Sequence, residues 1–235
     1  MPISSDSSLS RRERERRMRR QAMLDAASAV FAEKGYTQAT LDEIADRAEF
    51  GKGTLYNYFE DGKEGLLFAI FDQVYDDLED MIRTTVGSDG RDDHAFRAAF
   101  HDLVVRSFGY YENREDLFLI LIKEAHRLCF SDDAEKAAYF QAQQQRMVDA
   151  FVPAVEAAMG TNRIATLPST PVAYMLLEVI HDLIVHRCLT ERNEDPDEAC
   201  LPDADLMNDP DAAADFLTSL LFDGLHATGS PNSSE

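Results

Sequence analysis

The chain has no tryptophan, only three cysteines and only five lysines among its 235 residues. Cys129, Cys188 and Cys200 are widely spaced and odd in number, so a disulfide framework is not expected and a reducing cytoplasm fits. No apolar run approaches the roughly 18 residues that a bilayer span needs, so no membrane partner is expected. The N-terminal MPISSDSSLSRRERERRMRR lacks an apolar core and does not read as a secretory signal. No segment shows the period-two alternation of a strand. Catalytic and metal signatures are missing as well: no CxxC, HExxH, P-loop, GxGxxG or Ser-His-Asp ordering. His181 and His186 are five apart, which puts them on different helix faces. The sequence therefore gives no support for an enzyme, a metal site or a cofactor.

What remains is apolar and acidic. Hydrophobic residues make up 45%, enough for a globular protein of one or two domains. The formal charge is −21, and it is unevenly placed. Residues 1–70 carry 11 basic and 12 acidic side chains, while the remainder carries 12 and 32. Within 11–20 alone stand seven Arg and two Glu. A basic stripe of this kind is the electrostatic footprint of DNA binding, even on an acidic chain. It also reads as a solvated helix face, with Glu13 and Glu15 four residues before Arg17 and Arg19. Scarce lysine, many carboxylates and a pI near 4.5 suggest a halophile. In molar salt the Debye length is about 3 Å, which screens an acidic body from DNA. An ordinary acidic protein from a GC-rich genome is the alternative.

Periodicity predicts helices throughout, an all-α fold. Residues 1–9 and 229–235 read as disordered tails. Ser10 and Glu13 cap a first helix that Gly35 ends, with Leu24, Ala27, Val30 and Phe31 on its apolar side. Short helices follow at about 41–48 and 52–58, then a long one at 63–86, with Asp61 and Glu64 as a further capping pair. Further helices are expected at 94–111, 113–129, 132–159, 170–192 and 211–227, with a kink at Pro153. Loops are expected at 86–93 and, acidic and proline-containing, at 193–210. The domains expected are 10–62 for DNA binding and 63–228 for ligand binding and dimerisation, coupled by the long fourth helix.

Residues 40–59, TLDEIADRAEFGKGTLYNYF, carry the most information. Thr40 and Glu43 form a capping box just before Ile44. Ala45 and Ala48 are small enough for a second helix to cross closely. Gly51 and Gly53 leave the start of that helix open, and Leu55 points to the core. This is the layout of a helix-turn-helix, whose second helix enters the major groove. Tyr56, Asn57 and Tyr58 are adjacent, so they spread around the helix and cannot all be buried.

FAEKGYTQATLDEIADRA at 31–48, GKGTLYNYF at 51–59 and KEGLL at 63–67 together resemble the TetR family of ligand-gated transcriptional regulators. The likeness departs at Glu49, where the family usually has glycine, and at EDG before Lys63, one residue longer than the commonest link. Glutamate tolerates positive φ poorly. The resemblance implies that Lys52, Gly53, Thr54, Tyr56 and Asn57 face double-stranded operator DNA. It implies that Thr40, Tyr58 and Lys63 mostly touch phosphates, with Arg11 and Arg12 in the basic arm. It also implies a homodimer, a repressor's role and release by a small, largely apolar effector.

An effector needs a mainly apolar cavity with a few polar groups. Candidates are Phe71, Phe100, Phe108, Tyr111, Phe118, Ile122, His126, Gln143, Met147, Tyr174, Glu178 and His181, though ordinary core packing also accounts for the aromatics. For dimerisation the wide apolar stripes at 170–192 and 211–227 offer Val172, Met175, Val179, Leu183, Phe216, Leu220 and Leu221. Two other functions stay open. One is a redox or metal sensor on the same scaffold. The other is a small-molecule-binding protein that has lost DNA binding.

Overall fold

The computed structural model describes residues 10–87, 93–112, 114–160, 166–190 and 209–224. The expected tails and most of the acidic loop at 193–210 lie outside that set. Among the described residues there are helices and no strands. They are α1 (Arg11–Gln38), α2 (Leu41–Arg47), α3 (Lys52–Tyr58), α4 (Gly62–Val86), α5 (Asp93–Glu112), α6 (Glu115–Cys129), α7 (Ala134–Met159), α8 (Ser169–Thr190) and α9 (Pro210–Phe222). Helix α9 ends earlier than the expected 227, with Asp223 as its C-cap. Helix α7 runs through Pro153 without ending.

The chain divides into two compact units. One comprises Met1–Asp77 and Arg114–Phe140, the other Leu78–Asn113 and Gln141–Glu235. By packing, then, the helix-turn-helix unit takes in more than residues 10–62. It includes most of α4, all of α6 and the first turns of α7, because α6 packs against α1. No local sequence signal announces that pairing.

The first unit begins with a complete capping box. The Ser10 N–H donates to Glu13 Oε2 at 2.8 Å, and the Glu13 N–H donates to Ser10 Oγ at 3.3 Å. Met23, Leu24, Ala27, Val30 and Phe31 are buried, as the period predicts. Gly35 interrupts the helix at φ 77°, a conformation that side chains with a Cβ rarely adopt. On α4, Leu66, Leu67, Ile70, Phe71 and Val74 are buried. Glu64 does not cap α4 with Asp61 but pairs with Lys136 of α7. Tyr139 Oη donates to Asp72 at 2.8 Å, and the rings of Phe68, Phe71, Tyr139 and Phe140 meet edge to face.

In the second unit α5 packs against both α8 and α9. Its buried positions, Phe96, Phe100, Leu103, Val104, Phe108 and Tyr111, follow the 3.6-residue period. Phe222 of α9 lies against Phe96 and Phe100, and Phe151 of α7 stacks on Phe96 at 6.1 Å. Arg97 grips Asp223 with both terminal nitrogens, at 2.7 and 2.8 Å. No described helix is long and apolar enough to cross a membrane.

Glu49 turns the corner between α2 and α3 at φ 59°, alone among described non-glycine residues in the left-handed region. That conformation costs an L residue roughly 1 kcal/mol or more. Asparagine tolerates it, and unlike glycine adds little freedom to the unfolded chain. Glu49→Asn should therefore raise stability by about 0.5–1 kcal/mol in denaturant unfolding, whereas Glu49→Val should lower it.

Candidate nucleic-acid interface

Helix α2 is started by its own side chains. The Glu43 N–H donates to Thr40 Oγ1 at 3.3 Å, and the Thr40 N–H donates to Glu43 Oε2 at 3.1 Å. The Thr40 hydroxyl also donates to the same carboxylate at 3.0 Å. Lys34 donates to Glu43 at 2.5 Å, and this, followed by the Thr40 contacts, holds the Glu43 carboxyl below its ordinary range. Its contribution is thus present at neutral pH and is lost as pH falls through the folded value. Ile44 and Ala45 are buried on the inner face. The Phe50 N–H then closes the turn on Ala45 O at 3.0 Å.

Helix α3 is only seven residues long and has no side-chain cap, Gly51 standing at its N-cap. Leu55 and Phe59 anchor it and are 1% and 5% exposed. Burial of each contributes about 1.5–3 kcal/mol. With those two fixed inward, Lys52, Gly53, Tyr56 and Asn57 are exposed, while Thr54 and Tyr58 are half-buried. A Cβ at Gly53 would meet nothing within 4 Å. In the EDG link before Lys63, Gly62 stands at φ 61°, where a Cβ would press on Leu41 and on the Tyr56 ring. Arg16 and Arg20 of α1 lie over the rings of Tyr58 and Phe59, at 5.8 and 5.2 Å. No local pattern in the arginine run distinguishes these two from their neighbours.

Three residues expected at the DNA also bond within the protein: Thr40 and Lys63 of the phosphate set and Lys52 of the set facing the bases. Thr40 serves the cap. Lys52 donates to Asp42 Oδ2 at 2.9 Å, which holds its ammonium pKa above the ordinary value. Lys63 donates to the carbonyls of Tyr36, Thr37 and Ala39, at 2.8, 3.3 and 3.0 Å, and lies 4.6 Å from the Tyr36 ring centre. Those carbonyls close the end of α1, where helix geometry leaves acceptors without intrahelical donors. In this arrangement Lys63 ties the start of α4 to the α1–α2 connection. Arg11 is exposed and pairs with Glu15 at 2.9 Å, and Arg12 is exposed.

The effector candidates divide between the two units. Phe71, Phe118, Ile122 and His126 belong to the first unit, the remainder to the second. Phe71, Phe100, Phe108, Tyr111 and Met147 are buried; Phe118, Ile122 and Gln143 are half-buried. Glu178 is half-buried and accepts from Gln144 at 2.7 Å. His126, Tyr174 and His181 are exposed, so in the single chain they face solvent. Of the dimer candidates, Met175, Phe216 and Leu221 are exposed at 64%, 47% and 42%. Val172, Val179 and Leu220 are half-buried, but Leu183 points inward and is 9% exposed. Glu178, His181 and Asp182 bring one possible metal-ligating atom each within 4.8 Å of one another on α8, a trio that sequence reading passed over. Burial raises the Cys129 thiol pKa, the opposite of what a reactive redox sensor needs. The Cys188 side chain and Cys200 lie outside the described set.

Two substitutions separate support from recognition. Lys63→Met should lower stability by about 1–2 kcal/mol in denaturant unfolding, through loss of charge-assisted bonds to carbonyls. Gly53→Ala should do the reverse, raising stability by up to about 1 kcal/mol, because alanine favours helix and no protein atom opposes its methyl. The same methyl should weaken duplex DNA binding measured by fluorescence anisotropy, since it stands between the helix and any close-approaching backbone.

Comparison with known proteins agrees with this geometry. Residues 23–70 match the family profile of bacterial regulatory proteins, tetR family. The HTH-type transcriptional activator FasR of Mycolicibacterium smegmatis is 31% identical over 137 residues, 58% of this chain and 57% of FasR. The HTH-type transcriptional repressor KstR2 of Rhodococcus jostii is 39% identical over 90 residues, 38% of this chain and 42% of KstR2. The matched stretch thus spans about half the length of these relatives. Over 88% of the chain the fold is similar to the fatty acid degradation regulator FadR of Bacillus halodurans, with a TM-score of 0.66, 19% identity and 99% of that chain covered. FadR of Bacillus subtilis, solved in complex with stearoyl-CoA, aligns over 88% of this chain and 99% of its own, with a TM-score of 0.68 and 17% identity. Residues 23–70, which hold the capped α2 and the short α3, thus carry the signature of the bacterial regulatory proteins, tetR family.

Proposed function

We infer that this chain is a homodimeric, DNA-binding transcriptional regulator, a repressor released from its operator by a small, largely apolar ligand. One observation carries the DNA reading. Helix α3 is held by Leu55 and Phe59 so that Lys52, Gly53, Tyr56 and Asn57 stand in solvent at its start and outer face. Tyrosine hydroxyls and asparagine amides suit phosphates and base edges. Residues 10–62 hold the reading helices and 63–228 the sensing and pairing residues, with most of α4, α6 and the start of α7 packed in the reading unit.

Dimerisation rests on α8 and α9. Tyr174 and Met175 on the first, and Phe216 and Leu221 on the second, are large exposed apolar side chains. Leu183 supports the chain's own core and is no part of that surface. The effector space is sought among the buried aromatics of α5, Phe100, Phe108 and Tyr111. A long-chain acyl thioester is the first ligand to test, given the stearoyl-CoA complex of a protein with the same fold. Helix α4 links the two functions, and the coupling is reciprocal, typically about 5- to 150-fold.

Selection of bound duplexes from a random library tests this reading. The expected product is an inverted repeat whose half-sites lie about 34 Å apart, one helical turn. Asn57→Ala should relax base preference within each half-site, and Phe216→Glu with Leu221→Glu should abolish the paired footprint. Stearoyl-CoA should weaken binding to the selected duplex. Recovery of no preferred sequence, or of single half-sites, would sink the dimeric reader.

A further inference from the structure

The reading helices carry the wrong charge for DNA. Residues 40–62 hold six carboxylates and two cations, a net of −4. Asp42, Asp46, Glu49, Glu60 and Asp61 are exposed. Both cations are engaged within the protein. Lys52 pairs with Asp42 at 2.9 Å, and Arg47 pairs with Glu33 at 2.6 Å. Lys63, the next cation along, spends its donors on three carbonyls. The positive charge sits instead on the first turns of α1, where residues 11–20 carry +5 and are all exposed. Attraction and reading are thus assigned to different helices, and the reading helices by themselves repel phosphate.

A protein that neutralises phosphates with its own cations releases counterions from the duplex, and its affinity falls steeply with salt. A protein that brings carboxylates to phosphates does the reverse, since solution cations must enter to screen the pair. Resting on the DNA-binding reading above, we propose that the complex takes up cations at the reading helices, so that its affinity depends weakly on salt and persists in molar salt. The arginine arm releases counterions, the carboxylates of α2 and the turn bind them, and the two contributions oppose each other. Near 0.1 M salt the Debye length is about 10 Å and repulsion from these carboxylates is felt in full; at 1 M it is about 3 Å and they are screened. The Lys52–Asp42 and Arg47–Glu33 pairs belong to the same device. Each exposed pair is readily broken in water, but breaking it at the DNA surface trades one carboxylate partner for a phosphate and leaves the carboxylate needing a cation.

The test is the affinity for the selected duplex, by fluorescence anisotropy, from about 0.2 to about 2 M KCl. A regulator that relies on six to ten phosphate contacts loses about five or more orders of magnitude over such a range. This protein should lose less than about tenfold. The variant Asp42→Asn, Asp46→Asn, Glu49→Gln removes exposed charge but leaves the Glu43 cap, and should lose at least about a hundredfold more than the parent across the range. A second variant, Arg11→Gln, Arg12→Gln, Arg14→Gln, alters only exposed turns outside the core. It should bind weakly in dilute salt and gain affinity as KCl rises. A steep parental loss overturns the inference, as does a shallow one that neither variant alters. Absence of DNA binding at every salt concentration defeats the function itself, and with it this inference.

Discussion

A seven-residue helix cannot hold itself in water, because isolated helices shorter than about 12–15 residues are marginal even with favourable composition. Helix α3 exists because Leu55 and Phe59 are pinned in the core of the first unit. That burial fixes its rotation about its own axis. Once two inward positions are set, Tyr56 and Asn57 have nowhere to go but outward. The capping box of α2, the left-handed Glu49 and the left-handed Gly62 then set where α3 begins and how the chain leaves it. The reading surface is a consequence of apolar anchoring, and its polar side chains contribute little to holding it.

Lys63 and Glu43 extend the same anchoring into the flanking helices. One ammonium closes three carbonyls at the end of α1, and one carboxylate serves both the α2 cap and Lys34. These contacts draw the cations near the reading helix into internal work. The consequence is electrostatic: positive charge gathers on α1, whose first turns carry arginines and no buried side chain. Arg16 and Arg20, lying over Tyr58 and Phe59, mark where that arm meets the reader. A short anchored helix, an acidic turn and a basic arm form one arrangement in which position and positive charge are supplied by different residues.

Much of this was legible in the sequence wherever the cause was local. Caps at Ser10 and Thr40, the break at Gly35 and the apolar stripe of α1 depend on residues three or four positions apart, which a linear chain displays directly. What escaped notice depends on residues far apart. Lys63 meets carbonyls some two dozen residues earlier, and Glu64 meets Lys136 rather than its neighbour Asp61. The wide stripe on α8 gave no means of telling Leu183, which turns inward, from Met175, which stays exposed. His126, Tyr174 and His181 looked like polar groups on apolar helices, but face solvent in the folded chain.

By itself the sequence determined the all-helical fold, the start and end of each short helix of the helix-turn-helix, its resemblance to the TetR family and the separation of basic from acidic charge. Each of these follows from short-range periodicity, from capping or from composition. Tertiary structure decided which side of each helix is inside, which cations are consumed by carbonyls and carboxylates, and that α6 and the start of α7 pack with the reading helices. Those outcomes turn on distances between residues remote in sequence, and such distances exist only once the chain has closed on its core.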